Sequence, residues 1–174
     1  LNFLKYVKFQ SELTEFLRGM LPVRRARKVK DKEHMVKIAV MADIHSNYLA
    51  LQACIEKAID EGVQQFIFLG DYLGEMAYPR KTISILKQLQ ERYSCVFIRG
   101  NKEEYWITHR KNAYEIWKDG KTTTGILKYV YDQLNDDDID MFETMPIEMT
   151  LKYDGLPRFT ICHGSPFKVN QSMR

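Results

Sequence analysis

Four short runs of hydrophobic residues alternate along the chain with longer stretches in which hydrophobic residues recur at helical spacing. The runs cover residues 36–42, 66–69, 95–98 and 158–162. Runs of this length that are rich in β-branched and aromatic residues predict buried strands rather than helices. The alternation of such strands with amphipathic helices predicts an α/β fold.

Two helices are predicted between the first three strands. The first begins near Asn47 and ends at Gly62, and the second begins at Pro79, a residue favoured in the first turn of a helix. Helical spacing places one set of hydrophobic residues on a single face of the first helix: Leu51, Cys54, Ile55, Ala58 and Ile59. In the second helix, Ile83 and Leu86 share a face.

The second half of the chain predicts helices followed by a hairpin. Residues 102–145 have mostly helical spacing, and the acidic run 135–138 can cap a short helix through its side-chain oxygens. Hydrophobic and polar residues then alternate over residues 147–153, which predicts a strand with one wet face. Asp154 and Gly155 form a hairpin-turn signal before the last strand.

Composition and charge divide the chain into a leader and a domain. The 174 residues are 45% hydrophobic and 28% charged, which is typical of one globular domain. The net charge of +3 consists of +5 in residues 1–34 and −2 in residues 35–174. We expect residues 1–34 to be a poorly ordered or non-native basic leader, with the natural start at Met35. The alternative, a basic arm for nucleic acid over residues 24–32, is less favoured because the tract is short and lacks interleaved aromatic residues.

Cysteine usage and hydropathy bear on the location of the protein. Cys54, Cys95 and Cys162 are widely spaced within apolar runs, so we expect buried, reduced thiols rather than a disulfide framework. The sequence has no stretch near the roughly 18 apolar residues that a membrane span needs, and its start lacks a signal-peptide core. These features predict a cytoplasmic protein without membrane contact.

Residues with metal-binding chemistry directly follow each of the four predicted strands. The segments are Asp43-Ile44-His45-Ser46-Asn47, Gly70-Asp71-Tyr72-Leu73-Gly74, Gly100-Asn101-Lys102-Glu103 and His163-Gly164-Ser165. In α/β sheets, ligands bind beyond the carboxyl ends of the strands. The four segments are therefore expected to meet at one edge of the fold.

Each segment taken singly has a simpler explanation. Asp-x-His occurs by chance, a lone histidine at a strand end is more often structural than a ligand, and Gly-Asp is commonly a turn. The recurrence of hard oxygen and imidazole donors after four strands favours a shared metal site. In a two-metal site Asp71 suits the carboxylate that bridges the cations. Asp43 and His45 would then lie on one side, and Asn101 and His163 on the other.

The order and separation of these motifs resemble the calcineurin-like metallophosphoesterase family over residues 36–165, and residues 43–47 resemble its small bacterial branch. The resemblance implies a four-layer αββα sandwich, with two sheets flanked by helices. It also implies a centre of two divalent metal ions such as manganese, iron or zinc. The bridged cations would activate a hydroxide to attack phosphorus near neutral pH.

The resemblance also assigns residues within the site. One metal is assigned Asp43, His45 and Asp71, and the other is assigned Asp71, Asn101 and His163. The catalytic residues are predicted to be Asn101, Lys102 and His163. For Lys102, an equally weighted alternative is a solvated residue in the first turn of a helix.

The chain departs from the family pattern at two points. Lys102 occupies the position of a histidine, and a lysine with an ordinary pKa near 10.4 is a poorer proton shuttle at pH 7. The pattern also includes a final Gly-His-x-His after His163, which this sequence lacks, so we expect a fold that is incomplete at its C-terminus. The remaining histidines, His34 and His109, are expected at the surface.

The sequence therefore predicts a metal-dependent phosphoesterase whose partner is a small phosphate ester or nucleotide. A phosphodiesterase or nucleotide-type phosphatase is favoured, because members that replace the histidine at position 102 act on diesters with good leaving groups. A diadenosine-polyphosphate hydrolase and a protein serine/threonine phosphatase remain open. The alternative from another class is a truncated, non-catalytic metal-binding or interaction module.

Overall fold

The computed structural model describes residues 36–112 and 122–171. Its strands are β1 (Ile38–Met41), β2 (Gln65–Phe68), β3 (Ser94–Phe97), β4 (Glu148–Leu151) and β5 (Phe159–Cys162). Its helices are α1 (Tyr48–Asp60), α2 (Pro79–Gln90), α3 (Asn101–Lys111), α4 (Thr122–Tyr131) and α5 (Asp136–Thr144). The predicted leader, residues 1–34, lies outside the described residues, and its separation from the domain stays a prediction.

The first three strands form a parallel sheet in the order β1-β2-β3. Ile38 pairs with Gln65, and Gln65 pairs in turn with Ser94. Helices α1 and α2 make the crossovers between these strands, as the alternating hydrophobic pattern predicts. Because the strands are parallel, their carboxyl ends lie at the same edge of the sheet.

The last two strands form a separate antiparallel sheet. Gly155 lies in the turn between them with φ +78°, a backbone conformation that glycine adopts without steric cost. The hydrophobic face of this sheet packs against one face of the parallel sheet, where Ile67, Ile98 and Ile161 are buried together. Glu148 and Thr150 point to the exposed face, which confirms the predicted wet side of the strand.

The other face of the parallel sheet packs against helices through aromatic side chains. Phe68 stacks on Phe97 with ring centroids 4.9 Å apart, and Tyr72 stacks on Phe142 of α5 at 6.5 Å. All of these rings except that of Phe97 are fully buried. The helices, the parallel sheet and the antiparallel sheet thus form successive layers of the expected αββα sandwich.

Side-chain caps begin the helices where the sequence predicts them. Asn47 accepts a hydrogen bond from the backbone N–H of Ala50 at 3.1 Å, and Asn135 accepts one from Asp138 at 2.9 Å. The Asp138 carboxylate accepts from the backbone N–H of Asn135 at 3.1 Å, which completes a reciprocal cap. Gly62, just after α1, has φ +76°. In the described residues no helix is both long and apolar enough to cross a membrane.

Two predictions about burial are wrong. All three cysteines were expected to be buried, but Cys95 and Cys162 are half-buried and Cys54 is exposed. The inward face of α1 is centred on Leu51 and Ile55, and Cys54 lies at its margin. His109 was expected at the surface but is only 3% exposed. It lies one helical turn after the buried Trp106 and packs edge-on against the ring of Tyr131, with centroids 4.5 Å apart. His34 lies outside the described residues.

Candidate metal centre

The loops after β1 and β2 adopt an uncommon backbone conformation. Asp43, His45, Ser46 and Asp71 all have positive φ angles, between 48° and 65°. Non-glycine residues rarely adopt this region, and such residues concentrate at functional sites. The backbone N–H groups of Asp43 and His45 donate to the carbonyl oxygens of Gly70 and Asp71, at 3.2 and 3.0 Å. The two loops therefore hold each other in this conformation.

Glycines allow the loops to approach one another without intervening side chains. A Cβ atom added to Gly70 would lie 2.4 Å from the backbone nitrogen of Gly100. One added to Gly100 would lie 2.3 Å from Oδ1 of Asp71, and one on Gly74 would lie 2.3 Å from Nδ1 of His45. All of these separations are shorter than van der Waals contact, so a larger residue at any of the three would displace the site.

The predicted ligands converge at the carboxyl edge of the parallel sheet. Ligand atoms of Asp43, Asp71 and His163 all lie within 4.8 Å of one another. Nε2 of His45 lies 3.6 Å from Asp43 and 3.7 Å from Oδ2 of Asp71. Nε2 of His163 lies 3.5 Å from Oδ1 of the same Asp71 carboxylate. The two oxygens of Asp71 thus face two different imidazoles.

His163 is oriented by the backbone. Its Nδ1 lies 2.7 Å from the carbonyl oxygen of Leu69, which can only accept, so Nδ1 carries a proton. In the neutral ring Nε2 is then a lone-pair acceptor, and it faces Oδ1 of Asn101 at 3.0 Å and Asp71 at 3.5 Å. An arrangement of three acceptors directed at one another is relieved by a cation between them, by a second proton on the ring or by rotation of the Asn101 amide. A divalent cation fits this arrangement of oxygen and imidazole donors.

Asp71 lies at the buried centre of this cluster. Burial raises the pKa of its carboxyl above the ordinary value, although the backbone N–H of Lys102 and the neighbouring histidines act in the opposite direction. The Lys102 N–H donates to Oδ1 of Asp71 at 2.9 Å. A buried carboxylate with this many directed neighbours is poorly solvated, and nearby positive charge would stabilise its ionised form.

Glu103 is a functional residue that the sequence analysis quoted but did not assign. Its carboxylate is fully buried and accepts from the backbone N–H groups of Asp71, Tyr72 and Gly100 at 2.9, 3.0 and 2.9 Å. Burial, followed by the adjacent charge of Asp71, raises the pKa of Glu103 to about 7. One side chain therefore ties the second ligand loop to the third. Its position three residues after Gly100 has capping-box spacing, a signal that could have identified it.

Lys102 and Glu75 form the rim of the centre. The Lys102 ammonium donates to Oε1 of Glu75 at 2.6 Å, and its side chain is only 15% exposed. Oε2 of Glu75 lies 2.6 Å from Nδ1 of His45, but not in line for a hydrogen bond to the ring. Partial burial opposes ionisation of Glu75, yet the hydrogen bond from Lys102 leaves its pKa below the ordinary value. No local sequence pattern marks Glu75, because both contacts are tertiary.

The structure places every predicted site residue at this edge of the fold. The set is Asp43, His45, Asp71, Asn101, Lys102 and His163. The contacts between them show a common location, whereas their roles as ligands or catalytic groups stay predictions. The ammonium of Lys102, in the first turn of α3, is paired with Glu75, a carboxylate that the sequence did not reveal.

The chain matches one known protein family over most of its length. A family model described as calcineurin-like phosphoesterase matches residues 36–173. The chain is 29% identical over 130 residues to a PP2A-like serine/threonine-protein phosphatase of Candida albicans. It is 35% identical over 71 residues to an uncharacterized protein of Methanocaldococcus jannaschii. These alignments cover 73% and 40% of this chain, and 28% of each relative.

Two solved structures share the fold. A hypothetical protein from Pyrococcus horikoshii has a TM-score of 0.66 and 26% identity, over 79% of this chain and 58% of its own. A metallophosphoesterase from Sphaerobacter thermophilus has a TM-score of 0.59 and 22% identity, over 80% of this chain and 52% of its own. The chain therefore spans little more than half the length of these structures and 28% of the length of the curated relatives.

Proposed function

Because the chain belongs to the calcineurin-like phosphoesterase family, we propose that it hydrolyses phosphate esters at the centre formed around Asp71. The observation that carries the proposal is the position of the buried Asp71 carboxylate between two histidines. Oδ1 of Asp71 faces His163 at 3.5 Å, and Oδ2 faces His45 at 3.7 Å. A carboxylate whose oxygens face two separate imidazoles has the geometry of a bridging ligand.

The residues of the centre divide between two metal positions. Asp43, His45 and Asp71 would hold the first cation, and Asp71 with Asn101 and His163 would hold the second. When bound, the cations would lower the pKa of a water molecule and neutralise charge on the phosphoryl oxygens. Manganese, iron and zinc suit these donors.

The chain's own groups prepare the site for this chemistry. The Leu69 carbonyl fixes the proton of His163 on Nδ1 and leaves Nε2 directed into the centre. Glu103 fixes the spacing between the loops of Asp71 and Asn101 by binding the backbone of both. Lys102 supplies positive charge at the rim, where it would contact an oxygen of the phosphoryl group.

Lys102 favours phosphodiesters and nucleotide-type substrates over other phosphate esters. An ammonium of ordinary pKa near 10.4 donates its proton less readily than an imidazole at neutral pH. Its ion pair with Glu75 at 2.6 Å holds the ammonium in place at the rim. Esters whose leaving group departs without protonation are therefore the substrates that this rim suits.

A second candidate is a protein serine/threonine phosphatase, favoured by the resemblance to the PP2A-like phosphatase of Candida albicans over 73% of this chain. It differs from the first candidate in the size and charge of the substrate rather than in the metal centre. A third, the non-catalytic module, differs in that it needs no second cation.

Metal analysis and three substrates separate these candidates. The protein is purified with manganese, its metal content is measured by mass spectrometry, and hydrolysis of bis(p-nitrophenyl) phosphate, p-nitrophenyl phosphate and a phosphoserine peptide is followed. About two metal ions per chain and a preference for the diester are expected. Asp71→Asn is the inactive control. A preference for the peptide would favour the protein phosphatase, and a folded, metal-free protein would favour the module.

A further inference from the structure

Glu75 contacts two residues of the centre with its two carboxylate oxygens. Oε1 accepts from the Lys102 ammonium, and Oε2 lies against the His45 ring, both at 2.6 Å. The backbone of the same loop is fixed, because the N–H of Met76 donates to the carbonyl of His45 at 3.1 Å. The carboxylate is therefore held beside the position where a phosphoryl group would meet Lys102.

A second lysine–glutamate pair on the surface provides a comparison for the exposure of the Lys102–Glu75 pair. Lys57 and Glu61 also lie 2.6 Å apart, and Glu61 is 56% exposed, close to the 54% of Glu75. The lysines differ, since Lys57 is 72% exposed and Lys102 is 15% exposed. Little of the Lys102 side chain thus reaches water and its ammonium is paired with Glu75, whereas the Lys57 side chain extends into solvent.

We propose that Glu75 is a specificity residue, which makes the centre select singly charged phosphodiesters over doubly charged phosphate monoesters. The inference rests on the proposed function. With Glu75 in place, the rim formed by Lys102 and Glu75 carries no net charge. A monoester has a second ionisation near pH 6 and brings one more negative charge than a diester at pH 8. The Glu75 carboxylate repels that additional charge, and the Lys102 ammonium does not offset the repulsion because it is already paired with Glu75.

The residues around the pair leave the charge balance of the rim unchanged. The ring of Tyr105 lies 5.8 Å from the Lys102 ammonium and is uncharged. The backbone N–H of Lys102 is already bound to Asp71. Replacement of Glu75 by Gln would therefore free the ammonium for the substrate while preserving the shape of the side chain.

The test measures binding of inorganic phosphate and turnover in Glu75→Gln. Each variant is first titrated with manganese and then studied at saturating metal. Calorimetry gives the affinity for inorganic phosphate at pH 8. The kcat/KM values for p-nitrophenyl phosphate and bis(p-nitrophenyl) phosphate give the selectivity ratio. Glu61→Gln is the matched control, because it removes an equally exposed carboxylate at the same distance from a lysine.

We expect Glu75→Gln to raise the monoester-to-diester ratio by about fourfold, the effect of one unit charge at roughly 5 Å in a water-like dielectric. Phosphate affinity should rise by about 16-fold, because phosphate at pH 8 carries two charges and feels twice that energy. Glu75→Asp, which keeps the charge, should stay close to the wild type, whereas a purely structural role would make it resemble Glu75→Gln. Phosphate affinity equal in Glu75→Gln and Glu61→Gln would overturn the inference and leave the proposed function standing. A wild type that binds neither manganese nor phosphate would overturn both.

Discussion

Replacement of Asp138 by Asn probes how α5 is joined to α2. The Asp138 carboxylate is fully buried at the start of α5, where it accepts from Lys87 at 2.7 Å and pairs with Arg80. It also accepts the backbone N–H of Asn135 at 3.1 Å. Burial opposes its ionisation, but the hydrogen bonds from Lys87 and Asn135 and the charge of Arg80 outweigh burial and lower its pKa.

The magnitude follows from what asparagine can still bind. If its oxygen replaces Oδ2, the contacts with Asn135 and Arg80 persist, while its amide NH₂ group faces the ammonium of Lys87. Lys87 is 40% exposed and can turn to water, so no cation is left buried. The variant then loses the charged hydrogen bond from Lys87, and its hydrogen bond from Arg80 becomes one to a neutral oxygen. We expect the free energy of unfolding to fall by about 2 kcal/mol at pH 7.

The pH dependence of this loss has a defined sign. A carboxyl whose pKa is lower in the folded state stabilises the fold above its unfolded pKa, and this stability is lost as pH falls through the folded value. The difference between wild type and Asp138→Asn should therefore be constant from pH 8 to about pH 5 and shrink below about pH 4.

Urea unfolding with EDTA present, followed by circular dichroism across this pH range, measures the difference. Asp140→Asn is the matched control on the same helix, since Asp140 pairs with Arg110 at 2.8 Å but is 64% exposed. Its loss should stay below about 0.5 kcal/mol. Equal losses in the two variants, or a loss in Asp138→Asn that persists unchanged at pH 3.5, would refute the reasoning.

Further predictions concern the centre itself. Asp71→Asn should weaken manganese binding, measured by calorimetry, by about two orders of magnitude or more, because one oxygen of the bridge becomes a donor. Glu103→Ala should lower the free energy of unfolding by about 3 kcal/mol or more, since three buried N–H groups lose their acceptor. In urea unfolding the adjacent Glu104→Gln, a half-exposed partner of Arg99, should lose less than about 1 kcal/mol. Lys102→His should raise monoester relative to diester turnover at least about tenfold, and an unchanged ratio would count against a role for Lys102 in leaving-group departure.

Much of the fold could be predicted because its signals are local. The strands, the Asn47 and Asn135 caps and the Gly155 turn depend on residues within a few positions of one another. The location of the centre was also predictable, since parallel strands bring their carboxyl ends to one edge. Hydrophobic spacing alone placed Cys54 wrongly, because it lies at the margin of a helix face. His109 was expected at the surface because no motif surrounds it, but its packing against Tyr131, a tertiary contact, buries it.

The parts that could not be predicted depend on contacts between distant segments. Glu103 binds the backbone of Asp71, which is 32 positions away, and Lys102 binds Glu75 across 27 positions. A carboxylate that accepts backbone N–H groups leaves no pattern in the side chains of its partners. The positive φ angles of Asp43 and Asp71 are equally invisible, because the residue types do not require them.

The contact between Gly70 and Gly100 also bears on how this centre can evolve. These two residues approach each other through main-chain atoms, so the distance between their loops does not depend on the side chains at positions 75 and 102. Mutations at positions 75 and 102 can therefore accumulate without moving the ligands on either side. Under the proposed function, descendants of one ancestral sequence could exchange one substrate preference for another on an unchanged frame, whereas a methyl group added at either glycine would force the two loops apart.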